Sequence, residues 1–445
     1  MEDGEYEERN PLLGDSGGDG DGIGEEKGGK RDRLELLSWG AALLAMTKSN
    51  VGVGVLEYPF GFKSGGWLAS AAVSLLVSVI ALVGMRAIAD ARHWLVKTTP
   101  SRGKNWYMEL PELVERTVGS RMSAAVYIAE VVTQLSVVIS YMIFITNIFH
   151  RMLFETTELP RWAYPIILLP VFSGLSFLPS LKRIAPLAPA GLLLGSLGAV
   201  LVIAYGISKS PAGLYVAVRP KGIMTMVGIA FFSSEAINQT VGIHAAMKDP
   251  SRFKSVLNTS MAIVFTTYVV FGFVVAYLFG DETSSIITRN MGLDALGNAT
   301  SICFAIYLVC TFPFQMFPAV NVIEFSLKRR HYSHPLLFYA LRFSLTIFCT
   351  LVAVVYKDLG HFTDLVGYPC MTFLGVITPS VLMLSIDRTE KHSYLAPSRR
   401  IMWMVMGALG LVVGVCGTGF SIVQTAHGER DRLELKASTS STSST

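Results

Sequence analysis

The chain has 445 residues, of which 51% are hydrophobic and only 16% charged, with a formal net charge of +4 and a mean hydropathy of +0.48. So little charge cannot cover a soluble domain of this size, and the alternating strand pattern of a membrane barrel is absent. All five cysteines (Cys303, Cys310, Cys349, Cys370 and Cys416) fall in apolar runs, with no CxxC or HExxH pattern, so no metal or other cofactor is expected. No nucleophile–base constellation appears, which argues against an enzyme, and nothing points to nucleic acid. The expected class is an all-α polytopic membrane protein embedded in lipid.

Residues 1–34 are acidic and glycine-rich and contain nothing that could bury a core, so they are expected to form a disordered tail. Within it, Glu8-Arg-Asn-Pro-Leu-Leu13 is an acidic dileucine pattern of the kind that sorting adaptors read, with Glu8, Leu12 and Leu13 as the candidate residues. The pattern favours a lysosomal, vacuolar or endosomal membrane over the plasma membrane. The transmembrane domain is expected over 35–425, followed by a Ser/Thr-rich tail over 426–445.

Eleven apolar runs lie near 38–60, 67–88, 122–149, 162–180, 185–207, 222–244, 255–279, 299–326, 335–356, 361–385 and 399–424. Each is close to the about 20 helical residues needed to cross the hydrocarbon core, and only helices can do so with every backbone group paired. Most of the 37 Lys and Arg fall in loops of one side, including Arg86, Arg92, Lys97, Arg102, Lys104, Arg116 and Arg121, and the Lys328–Arg330 run. That bias puts the N-terminus in the cytoplasm, and an odd span count puts the C-terminus outside or in a lumen. In this topology the sequon at Asn298 lies in an external 280–298 loop and is a glycosylation candidate, whereas Asn238 and Asn258 are excluded.

The first run is interrupted. It reads Met46-Thr-Lys-Ser-Asn-Val-Gly-Val-Gly-Val-Leu-Glu-Tyr-Pro59, with charges at Lys48 and Glu57, glycines at 52 and 54, and a proline. Glycine and proline weaken a helix, and freed backbone groups at mid-membrane persist where they line a cavity or bind something. For Gly54 alone, close helix packing through small residues is the plainer explanation. With Lys48, Asn50 and Glu57 in the same segment, Asn50, Val51, Gly52, Val53 and Gly54 become a candidate ligand site.

The sixth run has a comparable interruption at Phe231-Phe-Ser-Ser-Glu-Ala-Ile-Asn-Gln239. A carboxylate in mid-span costs at least about 2.5 kcal/mol on insertion scales, so Glu235 is expected to face protein or water and to have a task. Matched polar interruptions in the two halves point to an inverted repeat with a midplane site. Of the other in-span charges, Glu130 and Arg342 are expected in structural pairs. His93, His150, His244 and His361 show no ligand spacing.

Four further stretches, in order, make the pattern specific. Lys48 to Leu56 is followed by Pro59; Val132-Thr-Gln-Leu135 precedes Tyr141 and Asn147; Met247-Lys-Asp-Pro250 follows the sixth run; and the eighth contains Thr311-Phe-Pro-Phe-Gln-Met-Phe-Pro318. Over residues 36–385 the chain resembles the amino acid/auxin permease family, and within it the proton-coupled amino acid transporters. The resemblance implies a LeuT-type fold with 11 transmembrane helices, arranged as a five-plus-five inverted repeat plus one helix.

It also implies an amino acid held at the two breaks. The substrate carboxylate would meet amides at Val51–Gly54, and its ammonium would meet carbonyls of Phe232, Ser233, Ser234 and Glu235. Phe232, Gln134 and Tyr141 would shape selectivity. Lys48 occupies the place where the sodium-coupled branch has an Asn that holds Na⁺ with a Thr matching Thr311. An ammonium there implies coupling to protons; Glu235 is the candidate proton carrier, with a structural hydrogen bond to the broken helix as its alternative, and Glu57, unusual for the family, is a candidate outer gate. The chain departs from the family at Ala45, where the animal proton-coupled branch has His, and at Ala236, where Gly is usual. The expected function is proton-coupled symport of small amino acids by alternating access. The alternatives are sodium-coupled or exchange transport, or an amino-acid sensor with little net flux.

Overall fold

The computed structural model describes residues 36–99, 108–178, 184, 187–209, 211–213, 216–328, 335–356, 358–390 and 394–442. The sorting residues Glu8, Leu12 and Leu13 lie outside them.

The described elements are helical. In chain order they are α1 (Trp39–Asn50), α2 (Gly54–Gly65), α3 (Trp67–Thr98), α4 (Leu110–Thr117), α5 (Ser120–Thr157), α6 (Ala163–Ser176), α7 (Leu187–Ser208), α8 (Pro220–Phe232), α9 (Thr240–Ala246), α10 (Phe253–Phe279), α11 (Ala295–Lys328), α12 (Pro335–Val355), α13 (Leu359–Val366), α14 (Thr378–Thr389) and α15 (Pro397–Thr442). Among the described residues eight helices are long and apolar enough to cross a membrane, and α6 and α8 are shorter apolar helices. The first and sixth apolar runs are each split into two helices, as their glycines and polar residues suggested. The tenth is continuous but passes through two π-helical turns, Gly367–Met371 and Phe373–Ile377, between α13 and α14.

Apolar side chains of α5, α11 and α12 make the central core, with Phe144, Phe172, Phe304 and Phe312 among the residues sealed inside. Lipid-facing helices expose leucine and isoleucine instead, as at Leu193 on α7 and Ile401 on α15. α7 lies close against α11 because Gly195 and Gly198 leave room for the rings of Tyr307 and Phe304; a Cβ at either glycine would approach them to 2.9 and 2.8 Å. This is the small-residue packing that membrane helices favour where lipid removes the hydrophobic drive. Gly66, at φ 84°, makes the sharp corner between α2 and α3. At the other end of the first span, Leu37 pairs with the chain after α9: its amide donates to Ala246 O at 2.8 Å, and Lys248 N donates to Leu37 O at 3.0 Å. The entrance to span one is therefore tied to the exit of span six.

One expectation is corrected. The 89–121 segment is not all loop: α3 continues to Thr98, and Ala89, Ala91 and Leu95 pack with Leu110, Leu113 and Val114 of the short helix α4. Arg92, read as a loop residue, is 2% exposed on that extended helix.

Arg342 of α12 has the kind of partner expected of it. It pairs with Glu324 of α11 at 3.4 Å and donates to Ser176 O (2.6 Å) and Leu178 O (3.1 Å) after α6. Three helices thus converge on one guanidinium, which also stacks on Phe338. Removing one partner of a buried pair strands the other, at a cost of about 3–5 kcal/mol. Arg342→Ala should therefore lower the thermal midpoint of the detergent-purified protein sharply, and Arg342→Met with Glu324→Leu should lower it less. An unchanged midpoint for Arg342→Ala would mean the junction contributes little.

Candidate functional site

Span one breaks because its carbonyls are claimed from outside. Asn50 ends α1 with its Nδ2 turned back to Met46 O at 3.0 Å, and Val51 is extended at φ −96°, ψ 98°. The hydroxyl of Tyr268, from α10, donates to Asn50 O, and that of Tyr307, from α11, donates to Val51 O at 3.2 Å. With these acceptors occupied, the helix restarts only at Gly54, and α2 begins without a side-chain cap. The first amides of an uncapped helix carry the positive end of its dipole and suit an anion. Sequence reasoning missed Tyr268 and Tyr307 as residues that hold the break, because each is an aromatic in an apolar run.

Span six stops by a different device. The hydroxyl of Ser233 donates to Ile229 O at 2.7 Å and that of Ser234 to Ala230 O at 3.1 Å. Serines that bond back four residues compete with the helix ladder, and α8 ends at Phe232 beside them. Both hydroxyls thus donate to their own helix, which leaves these residues the lone pairs of their hydroxyl oxygens and their backbone groups to offer a ligand. Glu235 opens the 3-10 turn Glu235–Ile237; its side chain lies outside the described residues.

The two breaks meet. A Cβ built on Gly54 would lie 2.9 Å from the Cβ of Ser233 and 3.1 Å from its Cα, closer than real side chains approach. Around this contact, Val53, Leu56, Tyr141, Phe232 and Phe312 belong to one buried cluster. Gln134 of α5 is buried with no hydrogen-bond partner for its Oε1 among the described residues, and the same holds for Asn50 Oδ1 and for both amide atoms of Asn238. Buried polar atoms ordinarily have partners, so these orphans mark where a polar ligand or water fits. Asn238, in the unwound stretch before α9, was not among the site residues singled out from the sequence.

Lys48 does not reach out to a membrane surface. Its ammonium is buried, 3.3 Å above the centre of the Phe314 ring, a cation–π contact that substitutes for hydration. Phe314 is one turn along α11 from Thr311, whose hydroxyl donates to Tyr307 O at 2.8 Å. The structure therefore brings Lys48 and the Thr311 turn together through α11. Glu57 lies on α2 just beyond the break and is fully buried. Asn298 lies in the first turn of α11, which starts four residues before the expected 299; its Nδ2 donates to Leu293 O, and Thr300 of its sequon is buried.

Beyond α2 and α8 the protein carries a cavity of about 350 Å³, lined among others by Lys63, Glu282, Arg289, Asp358, Asp364 and Gln424. At the same end Asn147 Oδ1 accepts from Arg289 (2.9 Å) and Arg161 (3.4 Å), and Arg161 also donates to Ala353 O and Tyr356 O. Burial, and then the neighbouring Arg289, lower Arg161 to about 10, which leaves it charged at neutral pH. Asn147 thus joins α5 to the end of α12 and to the α10–α11 connection.

A lipid-facing helical bundle with two interrupted spans, abutting at their interruptions, has the form of a membrane transporter, and solved structures share it. A mutant of a manganese transporter from Eremococcus coleocola matches 90% of this chain and 90% of its own at TM-score 0.58 and 10% identity. MhsT in complex with L-phenylalanine matches 87% and 99% at TM-score 0.54 and 14% identity. At such identities the likeness shows the fold, the LeuT-type arrangement expected from the sequence. The family follows from the sequence match: residues 36–422 fit the family model for transmembrane amino acid transporter proteins, and the chain belongs to that family. Relatives include Amino acid transporter AVT3A of Arabidopsis thaliana, 26% identical over 83% of this chain and 85% of its own length. The proton-coupled amino acid transporter-like protein pathetic of Drosophila melanogaster is 23% identical over 90% and 86%. Vacuolar amino acid transporter 3 of Saccharomyces cerevisiae is 24% identical over 86% of this chain and 56% of its own. The chain is a multi-pass membrane transporter and not an enzyme.

Proposed function

We propose that this protein is a proton-coupled symporter of small amino acids that works by alternating access. The observation that carries the reading is the Gly54–Ser233 contact, which sets the uncapped start of α2 beside the carboxy-terminal end of α8. A half-helix start attracts a carboxylate and a half-helix end attracts an ammonium, and an α-amino acid carries both a few ångströms apart. Amides at Val51–Gly54 and carbonyls at Phe232–Glu235 are the proposed polar contacts, with Phe232, Gln134 and Tyr141 shaping the side-chain pocket. Support comes from MhsT, whose structure holds L-phenylalanine, and from the Drosophila melanogaster relative named as proton-coupled amino acid transporter-like.

The buried ammonium of Lys48 supplies a fixed positive charge beside the Thr311 turn, which disfavours a sodium ion there and leaves the proton as the coupling ion. Glu235 is the proposed carrier at the break, with Glu57 next in line. The architecture proposed is eleven spans. The first five are α1–α2, α3, α5, α6 and α7; the second five are α8–α9, α10, α11, α12 and α13–α14; α15 is the additional one. The basic loops face the cytoplasm in this arrangement.

Counterflow in proteoliposomes tests the substrate class. Vesicles loaded with one unlabelled amino acid at a time should take up the same labelled amino acid at least tenfold above protein-free vesicles for some small member of the panel. Stabilisation by an amino acid without any flux would contradict transport and favour a sensor.

The yeast vacuolar relative and the Glu8/Leu12/Leu13 pattern both support residence in a vacuolar, lysosomal or endosomal membrane. Leu12→Ala with Leu13→Ala should move a tagged protein to the cell surface with its thermal stability unchanged. Unaltered internal localisation of the double variant would show that the pattern is accidental.

A further inference from the structure

Asp364 takes no part in the two helix breaks, yet it is a carboxyl 1% exposed in an apolar bundle. It stands on α13, and its Oδ1 is buried with no hydrogen-bond partner among the described residues. The side chain is pressed onto α8: a Cβ added to Gly228 would lie 2.9 Å from the Asp364 Cγ. One turn on, the hydroxyl of Tyr368 donates to Met224 O of the same helix, and a Cβ at Gly367 would come within 2.8 Å of Gly228 O. The carboxyl is therefore wedged against the half-helix that ends at the span-six break, and it also lines the 350 Å³ cavity.

A carboxylate taken out of water must be paired, coordinated or neutralised. Pairing is not observed: Lys63 and Arg289 line the same cavity, but neither makes an ion pair with Asp364 among the described residues. Metal coordination lacks ligands, since no group of three His, Cys, Asp or Glu that could hold an ion occurs among the described residues. The remaining neutraliser is a proton. The other groups around the carboxyl are Asp358, ahead of it in the chain, Glu282 across the cavity and Tyr368 on the following π turn. α8 contributes Gly228 and Thr225, and α15 contributes Gln424. Asp358 and Glu282 bring negative charge to the cavity, which draws cations into it.

We propose that Asp364 is a proton-binding site reached from the cavity beyond α2 and α8, and that it receives the co-transported proton before the span-six break does. The carboxylate takes one proton from a hydronium ion in the cavity, leaving water and a neutral carboxyl that fits the dry contact with Gly228. In the ionised state that contact is unfavourable, so α13 and α8 separate and the cavity stays open to water. Protonation thus favours closure of this end, and Asp364 acts on the substrate through α8 as a positioning residue. The proposal rests on the proton-coupled reading and adds where the proton enters.

The test uses full-length protein in proteoliposomes and labelled L-alanine or L-leucine, whichever the wild type accumulates better. Uptake is followed as the pH on the cavity side is varied while the opposite pH is held constant. The wild type should accelerate as that side is acidified. Asp364→Asn, which keeps the shape but cannot bind a proton, should respond less than twofold over the same range and lose at least tenfold of its gradient-driven accumulation. Asp364→Glu should recover a pH response with a displaced midpoint, an outcome that loss of folding would not give. A wild-type pH response in Asp364→Asn would overturn the assignment alone. Inactivity of both variants, with intact thermal midpoints, would make Asp364 structural and also overturn it. A wild type indifferent to pH on both sides would overturn proton coupling itself, and this site with it.

Discussion

Gly54→Val is expected to abolish transport while the protein still folds and inserts. The break of span one and the break of span six touch at this residue, and a Cβ there would overlap the Ser233 side chain and come 3.1 Å from its Cα. Ser233 cannot simply rotate away, because its hydroxyl is engaged with Ile229 O and the carbon beneath it is already too near. Overpacking of this kind costs about 1–3 kcal/mol, which a bundle of this size absorbs by moving α2 away from α8. That displacement separates the amides meant for the substrate carboxylate from the carbonyls meant for its ammonium. A 1 Å misplacement of positioned groups costs on the order of 100-fold in a reaction, and a loss of at least tenfold in uptake is expected here. Gly54→Ala should fall between Val and wild type. Uptake by Gly54→Val within twofold of wild type, at equal amounts of reconstituted protein, would show that the contact of the two breaks does not define the site.

The second large effect is expected at Lys48. Its ammonium is held above Phe314, one turn from Thr311, with no hydrogen-bond acceptor among the described residues. Lys48→Ala removes that charge but leaves Gly52, Gly54 and the tyrosine-held carbonyls in place, so the break should persist while uptake falls at least tenfold. If the ammonium stands where sodium would sit, the residual transport of Lys48→Ala should become sensitive to sodium, whereas the wild type should not be. Glu235→Gln probes the other half of the coupling. It should reduce proton-driven accumulation more than counterflow, which needs no net proton movement. Equal accumulation by Glu235→Gln and wild type under a pH gradient would make Glu235 structural and leave Glu57 as the next candidate.

The broken spans were legible because their signals are local. Two glycines, a lysine and a proline in an apolar run, and a Ser-Ser-Glu in another, have no place in a continuous membrane helix. What holds them broken was not legible. Tyr268 and Tyr307 donate across more than 200 positions in sequence to Asn50 and Val51, and in a one-dimensional reading each is one more aromatic facing a core. Arg342 was read as charged and in need of a partner, but Glu324 became that partner only when α11 and α12 were folded against each other. The extension of α3 to Thr98 was hidden for the opposite reason. Its Arg92, His93 and Lys97 look like loop residues, and only the apolar face of α4 shows what Ala91 and Leu95 are for. Asp364 falls inside the tenth apolar run, where a carboxylate is a signal in itself, but that it lines a cavity and presses on Gly228 emerges only in the fold.

Accumulation against a gradient is the most direct test of proton-coupled symport. Wild-type protein in sealed proteoliposomes should concentrate a labelled small amino acid when an inward proton gradient is imposed. The accumulation should be unchanged when sodium is replaced by choline and should collapse with a protonophore. Accumulation driven by a sodium gradient at equal pH, with no response to the proton gradient, would contradict the account.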